Sequence, residues 1–214
     1  GTFLMPLCAI AVLWKGSELF AWLDLMFAET AGSVPLLLCV VLCGLASMNF
    51  MTAPSVSLEG KSLWLLQSLP VEPWRIFRAK IRMQLLLTGL PLLLCIVCTE
   101  AVYSLHSMQL LMLLLFVGSY VLLMALAGLF VGVKMPTLTW TNEIVPIKQG
   151  GAVMVTLFGG FGYVILLFAG FMLLPGWILG FCGYISCFVG VNLLLSVWAC
   201  LWLRKKGAAR FSAL

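Results

Sequence analysis

Charged side chains are scarce in this chain. Only 9% of its 214 residues are Asp, Glu, Lys or Arg, whereas ordinary soluble domains carry about 25%. Hydrophobic residues make up 64% of the chain, and the mean hydropathy is +1.18. This composition excludes an ordinary soluble domain and predicts an integral membrane protein.

Histidine is scarcer still, since His106 is the single one in the chain. The sequence contains no HExxH motif, no paired acidic motif and no plausible Ser-His-Asp set, so a membrane hydrolase would have few groups to work with. A structural zinc site needs four convergent ligands. The paired cysteines Cys39/Cys43 and Cys95/Cys98 lie inside predicted spans, where small apolar packing residues are expected. We therefore predict no catalytic residue, metal or cofactor in this chain.

Acids inside the predicted spans are also rare. Glu100 is the one acid in a later span and is a possible intramembrane polar site. Tyr103 and His106 follow it by one and nearly two helical turns, which favours a local hydrogen-bond cluster at the membrane interface.

A glycine is missing where a phosphate-binding loop would need it. Gly60-Lys61-Ser62 matches the end of the GxxxxGK[ST] pattern, but Ser55 stands at the position of the first glycine. The segment before it is a predicted membrane span and not a strand. We therefore do not expect this triplet to bind a nucleotide.

Long apolar runs are abundant, and they predict an all-α, polytopic membrane helix bundle that forms a single transmembrane domain over residues 1–214. A membrane helix needs about 20 apolar residues, and continuous apolar runs exclude the alternating pattern of a barrel. The five predicted full spans are residues 34–51, 83–103, 108–133, 151–174 and 177–203.

The N-terminal region departs from this pattern. The apolar run 3–14 is too short to cross a membrane, so it predicts a clipped, partial first span and a chain that is a fragment of a longer protein. Residues 18–29 interleave apolar and acidic side chains. This segment is typical of an amphipathic helix in the outer interface, either as an anchor or as a substrate gate.

The basic residues predict the orientation. If the spans alternate, eleven of the twelve Lys and Arg fall on one side of the membrane and only Lys15 on the other. The positive-inside rule makes that side cytoplasmic. The protein is thus predicted to be a multi-pass plasma-membrane protein with a cytoplasmic C-terminus. The net charge of +5 is explained by topology and anionic lipid, without nucleic acid.

The cytoplasmic loop 54–82 carries helix signals of its own and is predicted to form an elbow along the membrane surface. Ser57 is a candidate N-cap with Glu59 in the first turn. Leu58, Leu65 and Leu69 fall on one face of this short helix. The same helix gains apolar surface from Trp64 and Leu66, and Pro70 ends it.

A second short helix is predicted to begin near Pro73, because proline suits a first helical position. Arg75, Arg78 and Arg82 then line one face, spaced to contact lipid headgroup phosphates.

Two separated motifs in these loops carry a family resemblance. The stretches "SLEGKSLWLLQSLPVEPWRIFRAK" and "PTLTWTNEIVPIKQG" resemble cytoplasmic loops of bacterial permease subunits of type-2 ABC exporters, in particular a poorly characterised Gram-positive group. The residues that match the first motif are Ser57, Glu59, Gly60, Lys61, Trp64, Leu66, Ser68, Leu69 and Pro70. Those that match the second are Trp140, Thr141, Asn142, Glu143, Lys148 and Gln149.

The resemblance implies a membrane-spanning subunit that forms the substrate path of an ATP-driven exporter. Its partners would be ABC ATPase subunits, which hold ATP and Mg, and a second permease half or a homodimer partner. The residues expected to couple to the ATPase are Ser57, Leu58, Glu59, Gly60, Lys61, Trp64, Leu65, Leu66 and Pro70. A second cytoplasmic contact would be formed by Trp140, Thr141, Asn142, Glu143 and Lys148.

Other interpretations stay open on sequence alone. The motif around Trp140 is also explained as a capped turn, in which Thr141 or Asn142 caps and Glu143 follows. The chain as a whole is compatible with a membrane-embedded enzyme, or with a scaffold or immunity-type protein that transports nothing.

Overall fold

The structure, a computed structural model, describes residues 2–27, 32–60, 68, 71–138, 140, 142, 144–173 and 180–212. Within these ranges the chain is mostly helical and contains no strand, which confirms the predicted polytopic helix bundle. The helices are α1 Leu4–Met26, α2 Ser33–Ser47, α3 Ser55–Leu58, α4 Pro73–Val102, α5 Ser107–Lys134, α6 Gly151–Leu173, α7 Gly180–Trp202 and α8 Ala208–Ser212, with π-helical turns at Val145–Gln149 and Leu203–Gly207.

Five of these helices, namely α1 and α4 to α7, are long and apolar enough to cross a membrane. The predictions of a partial span at residues 3–14 and of a full span at residues 34–51 were wrong. Helix α1 runs unbroken for 23 residues, so residues 3–14 and the start of the segment 18–29 belong to one helix. Helix α2 has only 15 residues and ends four positions before Met51.

The continuity of α1 has a simple physical reason. Its acidic residues Glu18 and Asp24 lie on an exposed face, while Phe20 and Leu23 are buried, so one helical period holds through the whole segment. Gly16 lets α1 pack closely on α4, because a Cβ there would lie 3.0 Å from Cγ1 of Val102.

The N-terminal half of α1 pairs with the end of α4. The Cys95 thiol donates to the Met5 carbonyl at 3.0 Å. Further along, Phe20 stacks on Tyr103 with ring centroids 4.8 Å apart, and the Tyr103 hydroxyl donates to the Asp24 carboxylate at 3.1 Å. These contacts fix α1 against the end of α4 that is remote from Pro73.

Helix α4 also corrects a prediction. No separate short helix forms near Pro73, since the helix that starts there continues for 30 residues to Val102. Its length is roughly 45 Å, compared with about 30 Å of hydrocarbon. The first turns of α4, with Arg75, Arg78 and Arg82, are therefore an extension of the spanning helix.

The start of α4 and the end of α5 meet the C-terminal helix at one end of the bundle. Phe77 packs edge-on against Phe211 at 5.3 Å, and the Arg210 guanidinium donates to the Lys134 carbonyl at 3.3 Å. We call this region the basic end. Its exposed cations include Arg75, Arg78, Arg82, Lys134, Arg204, Lys205, Lys206 and Arg210.

Candidate functional site: a buried elbow at the basic end

The connection between α2 and α3, residues 48–54, is irregular and largely buried, although Met48 and Met51 are exposed. Asn49 is 6% exposed, Thr52 1% and Ala53 0%. Non-helical backbone at membrane depth is tolerated only where the protein satisfies its polar groups. Here Gln84 of α4 does so twice, because its Oε1 accepts from the Thr52 N–H at 2.8 Å and its Nε2 donates to the Asn49 carbonyl at 3.1 Å.

Two further side-chain bonds anchor this connection to the neighbouring helices. The Asn49 amide donates to the Thr88 hydroxyl at 2.7 Å, and the Thr52 hydroxyl donates to the Ala125 carbonyl of α5 at 3.0 Å. Ala125 lies nine residues before the end of α5, which is roughly 14 Å along the helix. The connection therefore enters the bundle well below its basic end.

Two glycines of α5 make room for this entry. A Cβ on Gly128 would lie 2.6 Å from the Thr52 hydroxyl oxygen, and one on Gly132 would lie 2.6 Å from the Ala53 carbonyl oxygen. Gly128 and Gly132 are four residues apart, a spacing of small residues that commonly lets membrane helices pack closely. Here the spacing makes room for an irregular segment and not for another spanning helix.

Helix α3 is held by an apolar anchor. Val56 is fully buried in a cluster with Phe77, Leu129 and Val133, which belong to α4 and α5. Leu58, which was expected to carry the apolar face, is only half-buried. The predicted N-cap role of Ser57 was wrong, because the helix begins at Ser55 and Ser57 lies within it.

Ser57 instead joins the two motifs. Its hydroxyl accepts from the Thr137 N–H at 3.0 Å, and its carbonyl accepts from the indole N–H of Trp140 at 2.8 Å. Gly60 completes the contact, because a Cβ there would lie 3.0 Å from the Leu138 carbonyl oxygen. Segments some 80 residues apart in sequence therefore pack directly against each other.

An ion pair joins the residue after α3 to helix α4. The Lys80 ammonium lies 2.6 Å from a carboxylate oxygen of Glu59 and also donates to the Ser55 carbonyl at 3.2 Å. The two side chains are 13% and 25% exposed. Glu59 is one of the residues expected to couple to the ATPase, and its carboxylate is paired with a cation of the same chain.

Asn142 of the second motif caps a turn, as one interpretation of the sequence held. The Asn142 side-chain oxygen accepts from the Ile144 N–H at 3.1 Å, and its carbonyl accepts from the Val145 N–H at 3.1 Å. This turn leads into the π-helical turn Val145–Gln149, which includes the backbone of Lys148. Trp140 is thereby placed between a fixed turn and the elbow.

The remaining predicted residues take different places. Glu100 accepts a hydrogen bond from the Leu105 N–H at 3.2 Å, and His106 forms a capping box with Gln109 at the start of α5, so both residues fix a tight hairpin. The arginines expected to contact headgroups, Arg75, Arg78 and Arg82, are all exposed. The predicted residues Lys61, Trp64, Leu65, Leu66, Leu69, Pro70, Thr141 and Glu143 lie outside the described residues.

Sequence reasoning missed the polar residues that support the elbow. Gln84 and Thr88 are one helical turn apart in an otherwise apolar stretch of α4, and Lys80 precedes them by another turn. Polar side chains repeated at this spacing mark one face of a helix, and that signal was available. Within the described ranges, no three His, Cys, Asp or Glu side chains cluster in a way that could hold a metal ion.

No protein-family model, curated protein or solved structure matches the chain.

Proposed function

We propose that the chain is a membrane-spanning permease subunit of an ATP-driven ABC exporter, and that the elbow transmits movements of a separate ATPase to the spanning helices. The observation that carries this proposal is the contact between the two motifs: the Trp140 indole bonded to Ser57, with Leu138 against Gly60. The resemblance to exporter loops rests on these same two segments.

The elbow is suited to transmit force because it is tied to several helices at once. Val56 is embedded between α4 and α5. Lys80 of α4 bonds Glu59 and the Ser55 carbonyl, and Thr52 bonds the preceding connection to α5. A displacement of α3 would therefore act on α4 and α5 together. Since packed interfaces respond by discrete rearrangement, such a movement would reorient the spanning helices.

The location of the elbow supports the same proposal. It lies at the basic end, which the positive-inside rule assigns to the cytoplasm, where an ATPase would be found. We place the C-terminus on the same side, because Phe211 contacts Phe77 there. The substrate path, the pairing with a second permease half and the plasma-membrane location are parts of this proposal.

Purification from the cells that naturally produce the protein tests the proposal. We expect an ABC ATPase to copurify in mild detergent, and the preparation to hydrolyse ATP in a vanadate-sensitive manner. Trp64→Ala should lower the amount of bound ATPase at least fivefold, whereas the control Trp14→Ala, on the exposed side of α1, should not change it. A pure chain without ATPase, or equal binding by both variants, would contradict the assignment.

A further inference from the structure

A cavity of about 330 Å³ lies between α5, α6 and α7, apart from the elbow. From α5 its lining extends from Tyr120 to Val131, and from α6 it extends from Val155 to Tyr163. The stretch of α5 corresponds to a depth of roughly 16 Å. It lies in the half of the bundle next to the basic end, because Val131 is three residues before the end of α5.

The wall of this cavity is hydrocarbon in character. Its three hydroxyl groups all bond within the protein: Tyr120 to Ser47 and to the Gly160 carbonyl, Thr156 to the Ala152 carbonyl, and Tyr163 to Asn192. Because these three hydroxyls already bond within the protein, the wall favours a ligand group that needs no hydrogen-bond partner. An aliphatic chain meets that condition, whereas a polar solute would lose its hydration without replacement.

The cavity faces the lipid. Val155 and Trp198, which line it, are 50% and 56% exposed on the apolar outer surface of the bundle. Gly159 leaves a further gap in the wall, since a Cβ there would meet no atom within 4 Å. A chain can thus enter sideways from the membrane.

The mouth nearest the basic end carries positive charge. The ring of Phe130, part of the lining, packs against Trp198 and Trp202 at 5.4 and 4.6 Å, and the Lys134 ammonium lies 5.4 Å from its centroid. Arg204 and Lys205 follow Trp202 and are exposed. None of the three helices contains an acid, so this charge has no carboxylate on the same helices to neutralise it.

We propose that this cavity binds one acyl chain of an anionic phospholipid, with the lipid phosphate beside Lys134. The apolar wall matches the acyl chain, and the cation at the mouth matches the anionic headgroup. The sideways opening lets the chain enter directly from the bilayer. The inference does not depend on an ATPase partner.

Native mass spectrometry tests this site with a defined probe. The purified chain is incubated with equal amounts of phosphatidylglycerol and phosphatidylcholine that carry the same acyl chains. We expect one tightly retained phosphatidylglycerol per chain and at least a fivefold preference over phosphatidylcholine. Gly159→Leu should lower retention at least fivefold by filling the cavity. The matched control Gly162→Leu, also open to Cβ addition but outside the lining, should stay within twofold of the wild type.

A second variant separates the headgroup from the chain. Lys134→Gln should abolish the preference for phosphatidylglycerol, while Arg75→Gln at the same end should preserve it. Equal retention by wild type and Gly159→Leu would overturn the proposal, as would equal retention of the two lipids by the wild type. A lipid-free dimer that Gly159→Leu dissociates would also overturn it, because a second copy of the chain would then occupy the cavity.

Discussion

Replacing Lys80 with methionine should destabilise the elbow, because it removes an ammonium group that pairs with the Glu59 carboxylate. That side chain is only 25% exposed and Lys80 is 13% exposed, with 2.6 Å between the charged atoms. Exposed pairs contribute about 0–1 kcal/mol, and breaking a fully buried pair costs about 3–5 kcal/mol. For this partly buried pair we expect Lys80→Met to lower the free energy of unfolding by about 1–3 kcal/mol.

A double-mutant cycle isolates the pair from the other bonds of each residue. Lys80 also bonds the Ser55 carbonyl, so single variants lose more than the ion pair. Lys80→Met, Glu59→Gln and the double variant would be compared by equilibrium unfolding in mixed micelles, followed by tryptophan fluorescence. We expect a coupling energy of about 1–2 kcal/mol.

The same cycle with Arg82→Gln in place of Lys80→Met is the control, since Arg82 is exposed on the same helix. It should show no coupling to Glu59. A coupling energy below about 0.3 kcal/mol for the Lys80 cycle is within ordinary additivity, and it would refute the inference that this pair holds the elbow.

Two further substitutions test how the connection 48–54 is accommodated. Gly132→Ala places a Cβ 2.6 Å from the backbone oxygen of Ala53 and should lower the free energy of unfolding by about 1–2 kcal/mol through overpacking; Gly118→Ala, where a Cβ meets nothing within 4 Å, should leave it unchanged or raise it. Equal effects of the two alanines would contradict the close approach. Gln84→Leu removes the partners of two buried backbone groups and should cost about 2–5 kcal/mol, measured by the same unfolding titration; a loss below about 0.5 kcal/mol would show that the connection has other partners.

The spans were largely predictable because apolar length is a local property of the sequence. Every residue of a membrane helix contributes its own transfer free energy, so α5 to α7 were predicted to within about three residues of their bounds, whereas α4 begins ten residues before its predicted start. The error at α1 arose from treating Glu18 and Asp24 as the start of a separate interfacial helix. Their exposed positions on a continuous helix depend on how α1 packs against α4, which hydropathy does not contain.

The contacts of the elbow could not be predicted in the same way. Glu59 and Lys80 are 21 residues apart, and Ser57 and Trp140 are 83 residues apart. Such pairs depend on the register between helices, which the sequence of either segment leaves open. The motifs singled out both segments, but the contact between them depends on the packing of α3 between α4 and the loop after α5.

The connection at Asn49 shows a further limit of pattern reading. An apolar run up to Met51 predicts a continuing helix, yet the helix ends at Ser47 and the chain becomes irregular inside the bundle. This is possible because Gln84 of α4 bonds the Thr52 N–H and the Asn49 carbonyl, while Thr88 accepts a hydrogen bond from the Asn49 side chain. The polar face of α4 thus stabilises the irregular segment that follows α2.

Site-specific photo-crosslinking from position 58 tests most directly whether the elbow contacts an ATPase. Leu58 is half-buried at the end of α3, and a photoreactive phenylalanine analogue there would report its neighbours in intact membranes of the native cells. The same analogue at Met108, which is exposed at the opposite end of α5, is the control. The account predicts a light-dependent adduct with a polypeptide that contains an ABC-type nucleotide-binding domain at position 58 and none at position 108. Adducts with lipid alone at both positions would contradict it.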